Sequence, residues 1–112
     1  MKARESNCPA EFTLTRIGGR WKIPLIFHLL TGAKRFSELF RSLPGVTQKM
    51  LTQQLREMER DGLVRRKVFA QVPPKVEYSL TELGVSLRPV VDAMCRWGEV
   101  NGEKRSAREA RL

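Results

Sequence analysis

Lys49, Thr52, Gln53 and Arg56 fall at i, i+3, i+4 and i+7, a spacing that gathers four side chains on one face of a helix. Each offers chemistry a DNA base can answer. A Gln amide pairs with adenine, Arg or Lys pairs with guanine, and a Thr methyl meets the thymine methyl. Spacing alone does not decide which of the four touches a base. Thr47 and Gln48 stand at the start of the same stretch, where unpaired backbone N–H groups make a seat for a phosphate. Leu51, Leu55 and Met58 recur at i, i+4 and i+7 on the opposite side, so the helix has a buried stripe to anchor it. A run of charge is usually a solvated face, but such a face would carry more Glu than this one does.

A basic ribbon follows directly. Asp61-Gly62 breaks the helix, and residues 63–69 and 76–80 read as strands, with Val76, Tyr78 and Leu80 alternating against Glu77 and Ser79. Pro73-Pro74 between them forbids ladder pairing and stiffens the tip. Arg65, Lys67 and Lys75 lie on this ribbon and are placed to grip phosphates beside a groove. A basic hairpin alone is a common surface feature. After a helix this poor in acid, it tips the reading towards DNA.

The remaining elements must hold that helix up. Pro9 opens a first helix that Gly18-Gly19 stops; Leu14 and Ile17 share one face, and Phe12 points nearly opposite. Residues 21–30 are apolar almost all round and predict a central buried helix, with Trp21 in the core and His28 half-buried and without a chemical role. A brief strand at residues 34–36 leads into a third helix capped by Ser37. Leu43-Pro44-Gly45-Val46 then joins it to the fourth, giving a helix-turn-helix. Arg35 and Arg41 read as ordinary surface charge. Thr81 is expected to cap a last helix through about Trp97, with Leu83, Leu87, Val90, Met94 and Trp97 as its apolar stripe and a kink at Pro89. The fold class is mainly α with a small β-hairpin (α+β), a winged helix-turn-helix.

Composition agrees. The chain has 112 residues, enough for one domain that buries roughly 65% of its unfolded surface. Its 21 Lys and Arg against 12 Asp and Glu give a net charge of +9, which calls for a polyanionic partner, nucleic acid or an acidic membrane. Charge distribution favours the first, since residues 47–75 hold seven basic and three acidic residues. The longest apolar stretch, residues 23–30, contains Pro24 and His28 and is too short to span a bilayer; residues 1–8 carry no apolar run of a secretory signal. No Cys-x-x-Cys pair or Cys/His cluster is present, so neither a metal nor a cofactor is implied. Two cysteines without a signal fit a reducing cytoplasm.

Cys8-Pro9, the string Ile17-Gly18-Gly19-Arg20-Trp21-Lys22, Arg35-Phe36-Ser37-Glu38-Leu39, residues 51–64 and residues 72–84 occur together and in order. In these blocks the chain resembles the HxlR-type transcriptional regulators of bacteria, over about residues 8–98. The resemblance implies a cytoplasmic winged helix homodimer that binds an operator and represses or activates neighbouring genes. It places the dimer on the first and last helices, so Phe12, Leu87, Val90, Val91, Met94 and Trp97 are the expected interface. Residues 1–7 form an arm outside this domain, and residues 99–112 a basic tail of disorder-prone composition to which no role is assigned. A twofold dimer sets its two reading helices about 34 Å apart, one turn of DNA, so the operator should be an inverted repeat.

Cys8 matches the cysteine that some members of that family use to sense oxidants or electrophiles, and it precedes a helix start, with Lys2 and Arg4 near in sequence. The plainer alternative is a small capping residue. Cys95 reads as packing. An enzyme would need a base for Cys8, and the sole His28 lies in a core helix. A winged helix for RNA, for protein or for sequence-blind DNA coating stays open, although RNA readers expose aromatic platforms and the ribbon offers only Phe69 and Tyr78.

Overall fold

The computed structural model describes residues 8–110, with side chains through Gly102; the expected arm at residues 1–7 lies outside the described residues. Helix α1 (Pro9–Ile17) starts on its proline and ends where Gly18 N–H donates to the Leu14 carbonyl at 2.8 Å. Helix α2 (Lys22–Leu29) is the centre of the molecule. Its Leu25 and Ile26 have no exposed surface, and Trp21, Leu39, Leu51, Leu55, Met58 and Val91 close around them.

Strand β1 (Lys34–Arg35) leads into helix α3 (Phe36–Ser42). The helix begins two residues earlier than the sequence suggested: Arg35, not Ser37, is the N-cap, and its N–H donates to Glu38 Oε1 at 2.7 Å. A Glu three residues inside the helix caps its start from within. Helix α4 (Gln48–Arg60) follows, then strands β2 (Val64–Phe69) and β3 (Lys75–Leu80). The three strands form one antiparallel sheet in the order β1-β3-β2, where the sequence had suggested a separate ribbon. Lys34 lies opposite Tyr78 and Val64 opposite Leu80.

Gly62 makes the α4–β2 turn with φ +77°, a conformation an L side chain resists. Thr81 ties this turn to the far end of β3: its hydroxyl donates to the Gly62 carbonyl at 2.6 Å and accepts the Gly84 N–H at 3.1 Å. Gly84 is required by closeness, because a Cβ there would stand 2.3 Å from the Leu63 carbonyl oxygen.

The last helix departs from expectation. Thr81 caps a single short turn, α5 (Glu82–Val85), and a new helix, α6 (Arg88–Ala110), then begins. Pro89 therefore lies in the first turn of α6, where a missing N–H breaks no helical bond, and no mid-helix kink arises. Helix α6 also runs well past Trp97, through most of the segment read as a tail.

Candidate nucleic-acid interface

Helix α4 is split into two faces. Leu51, Leu55 and Met58 are fully buried or nearly so, while Gln48, Lys49, Gln53 and Arg56 are exposed and Thr52 is half-buried. Gln48, Lys49, Thr52, Gln53, Arg56, Glu57 and Arg60 line one concave strip along the helix. The Thr47 side chain accepts the Met50 N–H at 3.0 Å, which leaves the first-turn N–H groups of Gln48 and Lys49 without a carbonyl inside the helix. That turn contains no acidic residue, so the positive end of the helix is not neutralised from within and suits an anion.

The sheet sorts the ribbon cations by face. Arg65 pairs with Ser79, Lys67 with Glu77 and Phe69 with Lys75, so all six lie on one face by strand alternation. There the Lys67 and Lys75 ammonium groups each stand 4.8 Å from the Phe69 ring centroid, and Lys75 Nζ meets Glu77 Oε2 at 3.1 Å. Both lysines are held in place, and Lys75 is partly neutralised. Arg66 points to the other face with Val64, towards α4, and shares a concavity with Phe36, Thr52, Leu55, Arg56, Glu59 and Tyr78. Sequence reasoning passed over Arg66. The alternation Val64–Arg66–Val68 was the signal that could have set it beside α4.

A second omission lies behind α4. Lys22, on the apolar helix α2, is buried and forms an ion pair with Glu57 at 2.6 Å. Glu57 Oε2 also accepts the Gln53 amide at 3.3 Å. The Lys22 and Gln53 hydrogen bonds, helped by the charges of Lys22 and Arg60, hold the Glu57 carboxyl below its ordinary value, against burial that pushes it up. A cation amid apolar residues was the clue in the sequence, but its partner is 35 positions away.

The residues expected at a dimer interface separate into two sets. Phe12 is 61% exposed and Trp97 68%, and Val90 and Met94 join them at the surface. Val91 does not: its side chain is completely covered by its own chain. It sits one position round the helix from Val90, on the side that docks α6 to the core, so it has no surface to offer a partner. Leu87 is partly buried against the same core. Cys8 is exposed at the N-cap of α1, where its carbonyl accepts the Glu11 N–H at 3.0 Å, and Cys95 is exposed on α6. Among the described residues no helix is long and apolar enough to cross a membrane.

A three-stranded wing beside a helix-turn-helix whose second helix turns a polar, acid-poor face outward defines a DNA-binding protein of the winged helix class. Residues 16–106 match the HxlR-like helix-turn-helix family. The chain is 58% identical over 97 residues to the uncharacterized HTH-type transcriptional regulator YybR of Bacillus subtilis (strain 168), an alignment covering 87% of this chain and 78% of YybR. Among solved structures it is similar to the redox regulator HypR in its reduced form, with a TM-score of 0.84 and 55% identity, covering 89% of this chain and 99% of that one. The oxidized form of HypR gives a TM-score of 0.79 and 59% identity, covering 83% and 96%. The chain belongs to the HxlR-like helix-turn-helix family of transcriptional regulators.

Proposed function

We propose that this protein is a cytoplasmic homodimer that binds an inverted-repeat operator in double-stranded DNA and regulates the adjoining genes. The observation that carries this reading is the outward face of α4, where Gln48, Lys49, Gln53 and Arg56 stand exposed beside half-buried Thr52 over a fully buried Leu51–Leu55–Met58 stripe. The N-terminal turns of α4, from Thr47, enter the major groove; Arg65, Lys67 and Lys75 hold the flanking backbone. Phe12, Val90, Met94 and Trp97 form the twofold contact that sets the two reading helices about one DNA turn apart. A single-strand RNA platform is less well supported, because the Phe69 face is already covered by two ammonium groups.

The regulator is responsive to oxidation through Cys8. The exposed position of this thiol at a helix start and the likeness to a redox regulator captured in two oxidation states support this.

The test is the ratio of affinities, at one salt concentration, for a duplex selected from the source genome and for random duplex. A regulator gives a ratio of at least ~1,000; equal affinities would mean a sequence-blind coat. Oxidant should then change operator affinity in the wild type and leave Cys8→Ser unaffected. An unchanged wild type removes the thiol response and leaves the DNA function standing.

A further inference from the structure

The buried cation behind α4 has a consequence for base reading. Lys22 is 6% exposed, and its Nζ donates to Glu57 Oε1 at 2.6 Å. The other carboxylate oxygen, Oε2, accepts from Gln53 Nε2 at 3.3 Å. Glu57 is four residues beyond Gln53, on the same face of α4. An ionised carboxylate only accepts, so it takes the amide nitrogen of Gln53 and rejects the amide oxygen. One N–H and the carbonyl oxygen of Gln53 are then left for the exposed side. A donor beside an acceptor is what the N7 and N6 amino group of adenine require in the major groove.

Glu57 could not do this alone. A half-exposed carboxylate on a flexible stem would turn with its own rotamers and carry Gln53 with it. Lys22 is buried, reaches across from α2, and is the cation hydrogen-bonded to Glu57 among the described residues; neighbouring Arg60 is engaged with Asp61 at 3.4 Å. Lys22 is too deep to reach a duplex.

We propose that Lys22 is a positioning residue for sequence recognition: by fixing Glu57 it sets the Gln53 amide in the orientation that reads adenine. This rests on α4 being the DNA-reading helix. A preset Gln53 has less freedom to lose on binding, and ordering one rotamer-rich side chain at an interface weakens binding by about two- to tenfold. Lys22 therefore acts on one base pair, without touching it.

The experiment selects duplexes randomised across two half-sites with the full-length wild type, Lys22→Met and Gln53→Ala, each checked by thermal unfolding. Gln53→Ala identifies the pair that Gln53 reads, which should be an adenine in the wild-type motif. Lys22→Met should lower the preference for that adenine by about two- to tenfold, with the other positions and the salt dependence unchanged. Lys22→Met keeps an apolar stem in the core and leaves behind a carboxylate that can reach water. If it nevertheless fails to fold, Glu57→Gln carries the test: one carbonyl oxygen must then serve two donors, and the same single-position loss is expected. An unchanged motif in the variant, a loss spread evenly over all positions, or a Gln53 position that is not adenine overturns the proposal while the DNA function stands. A wild type that enriches no motif overturns both.

Discussion

Helices α4 and α6 each anchor one stripe in the core and turn another outward, and the two outward stripes differ in kind. On α4 it is polar and short of acid, with Gln48, Lys49, Gln53 and Arg56 over buried Leu51, Leu55 and Met58. On α6 it is apolar, with Val90, Met94 and Trp97 exposed, while among its described residues only Val91 is fully buried. Polar donors that outnumber acid match a phosphate-lined groove, where they exchange water for charged and hydrogen-bonding partners. Exposed Trp and Met gain nothing from such a surface and gain much from another protein. In the proposed function, one chain thus divides DNA binding and dimerisation by the chemistry of the helix faces that the core leaves over. Anchorage differs too: α4 is held along its whole length, whereas α6 has no buried residue after Val91 among those described.

That contrast can be broken at either helix. Leu51→Ala removes a fully buried side chain and should cost about 2–5 kcal/mol of stability through the cavity it leaves, measured by denaturant unfolding. A negligible change would mean that α4 is rotated from the orientation its function needs. Trp97→Ala should cost about 2 kcal/mol or more of dimer association with little effect on the fold of one subunit. Sedimentation equilibrium against concentration reads it, and an unaltered association constant would remove the α6 stripe from the interface. Next in size, Arg56→Ala should cost about 1–3 kcal/mol at a selected operator and relax its sequence preference, whereas Lys75→Ala should weaken all duplexes alike and flatten the salt slope by about one unit. Because Lys75 already contacts Glu77, its loss should be the smaller. Identical, sequence-blind losses would show that helix and wing are not distinct in role.

The smallest effect sharpens the comparison through pH. The carboxyl of Glu57 titrates below its ordinary value of 4.5 in the folded protein, so the unfolded chain takes up that proton first as pH falls. The stabilisation from the Lys22–Glu57 pair is whole above 4.5, and it is lost as pH drops through the lower, folded value. Unfolding midpoints measured against pH should fall more steeply in acid for the wild type than for Glu57→Gln. Parallel curves would mean that the pair couples α2 to α4 without affecting stability.

Much of this molecule is written locally. Pro9 and Gly18 bound α1, Thr47 caps α4, the Leu51–Leu55–Met58 period orients it, and Gly62 ends it; each depends on backbone constraints and periodicity that act within a few residues, so the sequence determined α4 and its outward face by itself. The start of α3 and the break between α5 and α6 were misjudged for a related reason. Several local signals competed there: Glu38 caps Arg35 from inside the helix, and Pro89, which lacks an N–H, stands in the first turn of a new helix rather than prolonging α5. Three matters were decided only by the tertiary structure. Val91 is core and Val90 is surface because α6 docks on one side alone; Arg66 faces α4 because β2 pairs with β3 in one register; and Lys22 finds Glu57 because α2 and α4 pack into the same core. Each joins residues far apart in the chain, and such partners are chosen by the burial of the whole core, which no local pattern records.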